Sequence, residues 1–326
     1  MRAIVITRPG GPEVLQERIV PDPEPGPGEI RVRVLAAGVN RADLLQRRGA
    51  YPAPAGWPSD IPGLEYAGTV ESVGPDASRW LPGDRVMGLV GGGAYAELVV
   101  VDERAAVAAP ERLSPAEAAA VPEAFVTAHD ALFTQVDLRA GETVLIHAVG
   151  SGVGTAALQL AKAAGAAVFG TQRSEWKLDR ARDLGLDVAI PGGAEDFADA
   201  VLRETAGGGV DAILDLVGGG YLAGNIRSLA PRGRLIVVGL VAGRRAELDL
   251  DRVLTRRLHI MGTVLRSRSE AEKIEATRAF ADSVLPLLES GVVRPIIDTV
   301  YPMTEAAEAH REMEENRNFG KIVLEW

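Results

Sequence analysis

The chain has 326 residues, a formal net charge of -10 and no cysteine. That length implies two compact domains rather than one, and an acidic balance with no basic tract argues against nucleic acid as a partner. The lack of cysteine removes disulfides, thiolate nucleophiles and thiolate zinc sites, leaving the redox compartment open with the cytoplasm as default. No apolar run reaches the ~18 residues of a membrane helix, and the opening MRAIVITRPGGPE shows no secretory signature.

Residues 1 to about 120 read as β-rich. Ala3 to Thr7 predicts a strand, and Pro21 to Pro27 (PDPEPGP) a stiff connector closed to helix and central strand. From Gly28 to Ala36, Ile30, Val32 and Val34 alternate with Arg31 and Arg33, the pattern of a half-buried strand. Asn40 to Arg48 predicts a short helix with Asn40 as N-cap, followed by a Pro-rich loop over 49–62 that holds Tyr51 and Trp57. Strands are expected at Glu65 to Val73, Arg85 to Val90 and Ala94 to Val101, separated by turns such as Pro82-Gly83-Asp84, which suggests a small barrel. Near Ser114 the pattern becomes Ala-rich helix, with Ser114 and Glu117 spaced as a capping box.

Strands and helices then alternate. Strands are expected at 143–147, 167–171, 187–190, 211–216 and 234–240, and helices at 153–164, 174–184, 195–206 and 221–230. Regular alternation with β-branched strands predicts a doubly wound parallel sheet, so the fold class is α/β. Leu258 to Leu265 (LHIMGTVL) adds a strand. Glu270 to Ser290 reads as an amphipathic helix interrupted near Pro286, and Ile296 to Val300 and Lys321 to Glu325 as returning strands. The expected organisation is a β-barrel domain from both chain ends, 1–122 with 266–326, around a nucleotide-binding domain at 123–265. Ligand is then expected in the interdomain cleft, at the carboxyl ends of the parallel strands.

The chemistry concentrates in TVLIHAVGSGVGTAALQLAK, residues 143–162. A β-branched strand, a turn containing Gly150, Ser151, Gly152 and Gly154, and a run of helix formers would aim the amides of residues 151–154 (Ser151, Gly152, Val153, Gly154) at a diphosphate. The strict G-x-G-x-x-G fingerprint is not met, because Thr155 stands where its third glycine belongs. After the next strand comes Gln172, Arg173, Ser174, with Lys177 one helical turn on; the first carboxylate is Glu175. A carboxylate at the strand end would hold an NAD ribose, whereas Arg173, Ser174 and Lys177 suit a 2′-phosphate, so NADPH is expected over NADH. The bland reading of Lys177 is a solvated helix face.

The motifs VNRADLLQRRGAY (39–51), GLEYAG (63–68), GGGAYAE (91–97), PEAFVTA (122–128), LDLVGGGY (214–221), LRSR (265–268) and AHREMEENRNFGKIVLE (309–325) accompany that stretch. Together they resemble the quinone oxidoreductase (zeta-crystallin-like) branch of the medium-chain dehydrogenase/reductases, closest to its tumour-suppressor-inducible subgroup. The resemblance implies a GroES-like barrel plus a Rossmann domain, a homo-oligomer (dimer or tetramer), and NADPH-dependent reduction of a small-molecule quinone. It implies further cofactor contacts at Asn40, Thr127, Gly218, Gly239, Leu240, Leu265, Arg266, Asn318 and Lys321, each with a plain reading as a turn or surface residue.

Departures from zinc-dependent relatives matter as much. Asn40 stands where their first ligand would be, and Gly63-Leu64-Glu65 lacks the histidine beside Glu65. A metal site with three nitrogen or sulfur ligands cannot be assembled, so reduction of an electron-poor acceptor is favoured over alcohol oxidation. Gly192, within IPGGAEDF (190–197), replaces a tyrosine that commonly packs on the adenosine phosphate. Tyr51, Asn40 and Asp43 are expected near the nicotinamide: Tyr51 to hydrogen-bond the acceptor carbonyl, Asn40 to orient the ring, Asp43 to organise the turn. Packing of Tyr51 on Trp57 and capping by Asn40 are the structural alternatives. Alternative activities are reduction of an enone or alkenal double bond, or NADPH binding without catalysis. The four histidines, His129, His147, His259 and His310, show no ligand-like spacing.

Overall fold

The computed structural model describes residues 1–193 and 197–326. The chain divides into two compact units, Met1–Val126 with Leu265–Trp326, and Thr127–Val264.

The first unit begins with β1 (Arg2–Ile6) and β2 (Leu15–Ile19), a two-stranded antiparallel ribbon. Sequence periodicity passes over β2 because only Leu15 of its five residues is buried. Long β3 (Glu29–Val39) carries the expected alternation, with Ile30, Val32 and Val34 inside. Helix α1 (Arg41–Arg47) follows, then β4 (Glu65–Val73), β5 (Arg85–Leu89), β6 (Leu98–Asp102) and β7 (Ala106–Ala108). β6 starts later than the expected Ala94, since Ala96 makes only an isolated bridge to Ala3. Ser114 and Glu117 form the expected reciprocal box at the head of α2 (Pro115–Ala119), and a π-helical turn follows over Pro122–Val126.

The second unit holds α3 (Thr127–His129), β8 (Thr143–His147), α4 (Gly152–Ala163), β9 (Ala167–Gln172), α5 (Glu175–Asp183), β10 (Val188–Pro191), α6 (Phe197–Glu204), β11 (Val210–Asp215), α7 (Leu222–Ser228), β12 (Leu229–Val237), α8 (Leu250–Arg256) and β13 (His259–Gly262). Its six strands run β10-β9-β8-β11-β12-β13, every pair parallel. This is the doubly wound order 3-2-1-4-5-6, whose direction reverses between β8 and β11; such a switch point opens a crevice at the strands' carboxyl ends. The expected start of the helix at 195–206 lies outside the described residues. α8 has no buried residue, which explains why apolar periodicity did not reveal it.

The chain returns to the first unit through α9 (Glu270–Ser290), β14 (Ile297–Pro302), α10 (Ala306–Glu314) and β15 (Lys321–Glu325), completing a sheet of order β14-β15-β3-β4-β5-β7 with β6 on β3. The expected break in α9 is corrected: the helix runs continuously through Pro286. Pro286 is exposed, so water can serve the carbonyl that its missing N–H would have bonded.

Candidate functional site

In the second unit the turn after β8 places Ala148 in the left-handed region, at φ 50°. The Ser151 amide donates to the Ala148 carbonyl at 2.9 Å, and the Gly154 amide donates to Ser151 Oγ at 3.1 Å. The Gly152 and Val153 amides precede the first intrahelical donor of α4, the Thr155 amide, and are the ones left to face an anion. A Cβ on Gly154 would stand 2.5 Å from the Ala148 oxygen and 2.7 Å from that of Val149. Gly154 is therefore needed for helix-on-loop packing.

At the end of β9, Arg173 is exposed and Ser174 caps α5 without a side-chain capping bond. Lys177 is 4% exposed, its ammonium 5.3 Å from the Trp176 ring centre, so the solvated-face reading fails. Arg173, Ser174 and Lys177 supply donors, and no carboxylate ends the strand, a composition that fits a phosphorylated ribose.

Beneath the switch point runs a buried polar chain. Asp215 Oδ1 accepts from the Val217 and Gly218 amides, at 2.8 Å each, and Oδ2 accepts from Asn225 Nδ2 at 2.9 Å. Asn225 Oδ1 then faces His147 Nε2 at 2.6 Å, which must carry the proton, leaving Nδ1 to accept from the Thr171 hydroxyl at 2.8 Å. Burial lowers the His147 pKa, in keeping with a neutral ring. The network thus fixes the Gly218 turn, and Gly239 donates to the Asp215 carbonyl at 3.2 Å. Leu240 is half exposed and Thr127 is buried.

The first unit brings together Asn40, Glu65 and Lys321. Lys321 Nζ donates to Glu65 Oε1 and Asn40 Oδ1, at 2.6 Å each, and to the Val39 carbonyl at 3.0 Å. Asn40 Nδ2 donates to Glu65 Oε1 at 2.8 Å, and the Glu123 amide donates to Glu65 Oε2 at 2.7 Å. Gly38 is bare because the Glu65 carboxylate occupies the space of a Cβ. All three ammonium protons of Lys321 have partners, so its expected cofactor contact would require one to be exchanged.

Asp43 ties the head of α1 to the Gly63 turn. Its carboxylate accepts from the Asn40 amide at 2.8 Å and the Gly63 amide at 3.1 Å, and Tyr95 Oη donates to it at 3.3 Å. Desolvation raises its pKa to about 6 against those donors. Arg266 is a clamp: its guanidinium donates to Gly91 O, Tyr51 O and Gln46 Oε1 and lies 4.8 Å over the Tyr51 ring. Tyr51 is therefore anchored by Arg266, and desolvation raises its hydroxyl pKa. Leu265 is buried, and Asn318 Nδ2 donates to the Gly320 carbonyl at 2.8 Å.

Sequence reasoning missed a cavity wholly within this unit. It encloses about 70 Å³, and Trp57, Leu64, Leu89, Glu123, Arg266 and Lys273 are among its walls. The Glu123 carboxyl has no hydrogen-bond partner among the described residues. Desolvation, then the charge of Glu65, push its pKa up to about 7 against the opposing pull of Lys321.

Residues 152–281 match the family described as zinc-binding dehydrogenase, and residues 26–111 that of the alcohol dehydrogenase GroES-like domain. The residues do not fit a zinc ion at the Asn40–Glu65 position, where an ammonium already contacts both side chains and neither thiolate nor imidazole is present.

A quinone oxidoreductase of Pseudomonas aeruginosa is 39% identical over 97% of this chain and 96% of its own length. A mycocerosic acid synthase-like polyketide synthase of Mycobacterium tuberculosis is 36% identical over 98% of this chain, which spans 15% of that protein's length. Among solved structures, an NAD-dependent alcohol dehydrogenase is 36% identical with a TM-score of 0.89, covering 100% of both chains. A mycobacterial protein complexed with NADPH is 30% identical with a TM-score of 0.90, again over 100% of both. The fold and these likenesses define a medium-chain dehydrogenase/reductase, an oxidoreductase with a GroES-like domain and a Rossmann domain. The chain belongs to the quinone oxidoreductase, zeta-crystallin-like, branch of that superfamily.

Proposed function

We propose that the protein is a zinc-free, cytoplasmic, NADPH-dependent reductase of quinones. The observation that carries the reading is the Asn40–Glu65–Lys321 cluster: a buried ammonium fills the position at which a metal Lewis acid would have to act, which favours acceptors that are already electron-poor. Bound NADPH would supply the hydride. The Gly152 and Val153 amides would hold its diphosphate; Arg173, Ser174 and Lys177 would select its 2′-phosphate. The apolar walls of the cavity, Trp57, Leu64 and Leu89, would exclude water around a planar acceptor.

The test is fluorescence titration with NADPH and NADH, followed by an acceptor screen. Tighter binding of NADPH and turnover of ortho- or para-quinones are expected. Preference for NADH would remove the 2′-phosphate role. A second reading, reduction of an activated double bond, is favoured by the polyketide synthase likeness; faster turnover of an alkenal than of any quinone would establish it. We also read the protein as a symmetric oligomer. β13 ends its sheet, and Leu250, Leu254, Ile260 and Val264 are exposed around it. Sedimentation equilibrium giving a monomer would remove that reading.

A further inference from the structure

The cavity of the first unit contains one strongly desolvated acid that, among the described residues, no hydrogen bond or ion pair engages. Glu123 enters from the π-helical turn at Pro122–Val126, with its backbone amide fixed on Glu65 Oε2 at 2.7 Å. Its carboxyl lines the cavity and accepts no hydrogen bond from the described residues. The neighbouring polar groups are engaged elsewhere. Arg266 is committed to two carbonyls and Gln46, Lys321 to Val39, Asn40 and Glu65, and Asp102 to Arg104. A carbonyl oxygen entering this cavity would meet Glu123 as an acid with no hydrogen-bond partner among the described residues.

We propose that Glu123 is the proton donor of the reduction, hydrogen-bonding the acceptor oxygen in this cavity and protonating it. The proposal rests on the reductase reading above. Bound NADPH would supply a hydride, and with that electron pair on the conjugated acceptor negative charge would develop on the acceptor oxygen. The Glu123 O–H bond breaks as an O–H bond forms on that oxygen, the nicotinamide is left oxidised, and solvent at the cavity mouth returns a proton to the carboxylate.

The electrostatics suit that role. Glu65 and Asp43 disfavour a further negative charge at Glu123, while Lys321 and Arg266 oppose them without cancelling the desolvation. The balance puts the pKa at about 7, where a general acid works best near neutrality. Tyr51, Lys273, Glu270 and Asp102 are the remaining titratable groups facing the site. Among these Lys273 is the rival donor, on α9, with its pKa lowered by desolvation and by Arg266.

The experiment pairs two measurements on the full chain and on Glu123→Gln. The pH profile of kcat/KM with NADPH and a quinone should fall above about 7 in the unmodified protein. In Glu123→Gln it should lose that break and drop about 100-fold, with NADPH affinity retained. Independently of activity, infrared difference titration should show a protonated carboxyl band disappearing with a midpoint of about 7, absent from the variant. Retention of rate and break in Glu123→Gln would overturn the proposal while leaving the reductase reading intact. So would a carboxyl band that does not depend on Glu123, or a break that disappears in Lys273→Met instead. No turnover of any acceptor by the unmodified chain would overturn the reductase reading and this proposal with it.

Discussion

Each unit buries a chain of polar side chains at the ends of its strands, and the two chains close differently. In the second unit, Thr171, His147, Asn225 and Asp215 form a line in which every donor finds an acceptor, ending on two backbone amides. The aromatic rings of Phe197 and Tyr221 pack edge-on against His147 at 4.7 and 4.8 Å. In the first unit, Asn40, Glu65 and Lys321 also satisfy one another, but Glu123 joins through its backbone alone and its carboxyl remains open to a cavity. A saturated network fixes a turn; one with an acid left over can transfer a proton.

The sharpest way to break the comparison is to remove one member from each. Lys321→Met would strand the Glu65 carboxylate, 0% exposed, with only neutral donors. Removing one partner of a buried ion pair costs about 3–5 kcal/mol. Asn225→Ala would leave His147 Nε2 and one Asp215 oxygen unpaired, a loss of about 1–3 kcal/mol. Urea unfolding at neutral pH should therefore place Lys321→Met below Asn225→Ala in stability. The reverse order would mean that Glu65 accepts a proton when its partner is lost. Lys321→Met should also raise the Glu123 pKa, because Lys321 is the largest influence lowering it.

The pH dependence of stability reports on the first unit, through buried groups of opposite sign. Glu123 and Asp43 have folded pKa values raised to about 7 and about 6, above their ordinary 4.5 and 3.8. Their protonated forms are favoured by folding. That contribution is complete below the unfolded values and is lost as pH rises through 6 and then 7. His310 has the opposite sign. It is buried, with Nδ1 accepting from Arg47, and desolvation, with the Arg47 charge, lowers its pKa from 6.5 to about 3. Its contribution is present above 6.5 and disappears as pH falls through 3. Thermal unfolding from acid to mildly alkaline pH should show both limbs, and Glu123→Gln should flatten the upper one while leaving the acid limb in place. An unchanged upper limb would show that Glu123 titrates normally.

How legible each region was follows from how local its signals are. Strand β8, the turn and α4 are contiguous between Thr143 and Ala163, so apolar run, small residues and helix formers could be read together. Ser114 and Glu117 reveal their box by spacing alone. The cavity had no such signal. Its walls come from the loop at Trp57, strands β5 and β6, the turn at Glu123 and helix α9, and only folding brings them together. Lys177 shows the limit from the other side: a lysine on a short charged helix reads as solvated, yet packing buries it. Asn40 and Lys321 were singled out through family resemblance, while their mutual bond and the Glu65 pairing needed coordinates.

The smallest expected effect tests whether a polar group outside both chains behaves as an unsatisfied one. Tyr66, on β4, is 0% exposed, and its hydroxyl has no partner among the described residues. Burial raises its pKa, so the group stays a neutral, unpaired O–H at any working pH. Tyr66→Phe removes that O–H and keeps the ring, so no buried donor is left behind by the change. Stability should be unchanged or rise by about 1 kcal/mol, measured by urea unfolding beside the unmodified chain, with the slope preserved. A loss of similar size would mean that a buried water bonds the hydroxyl, and Tyr66 would then belong with the saturated network of the second unit rather than stand apart from both.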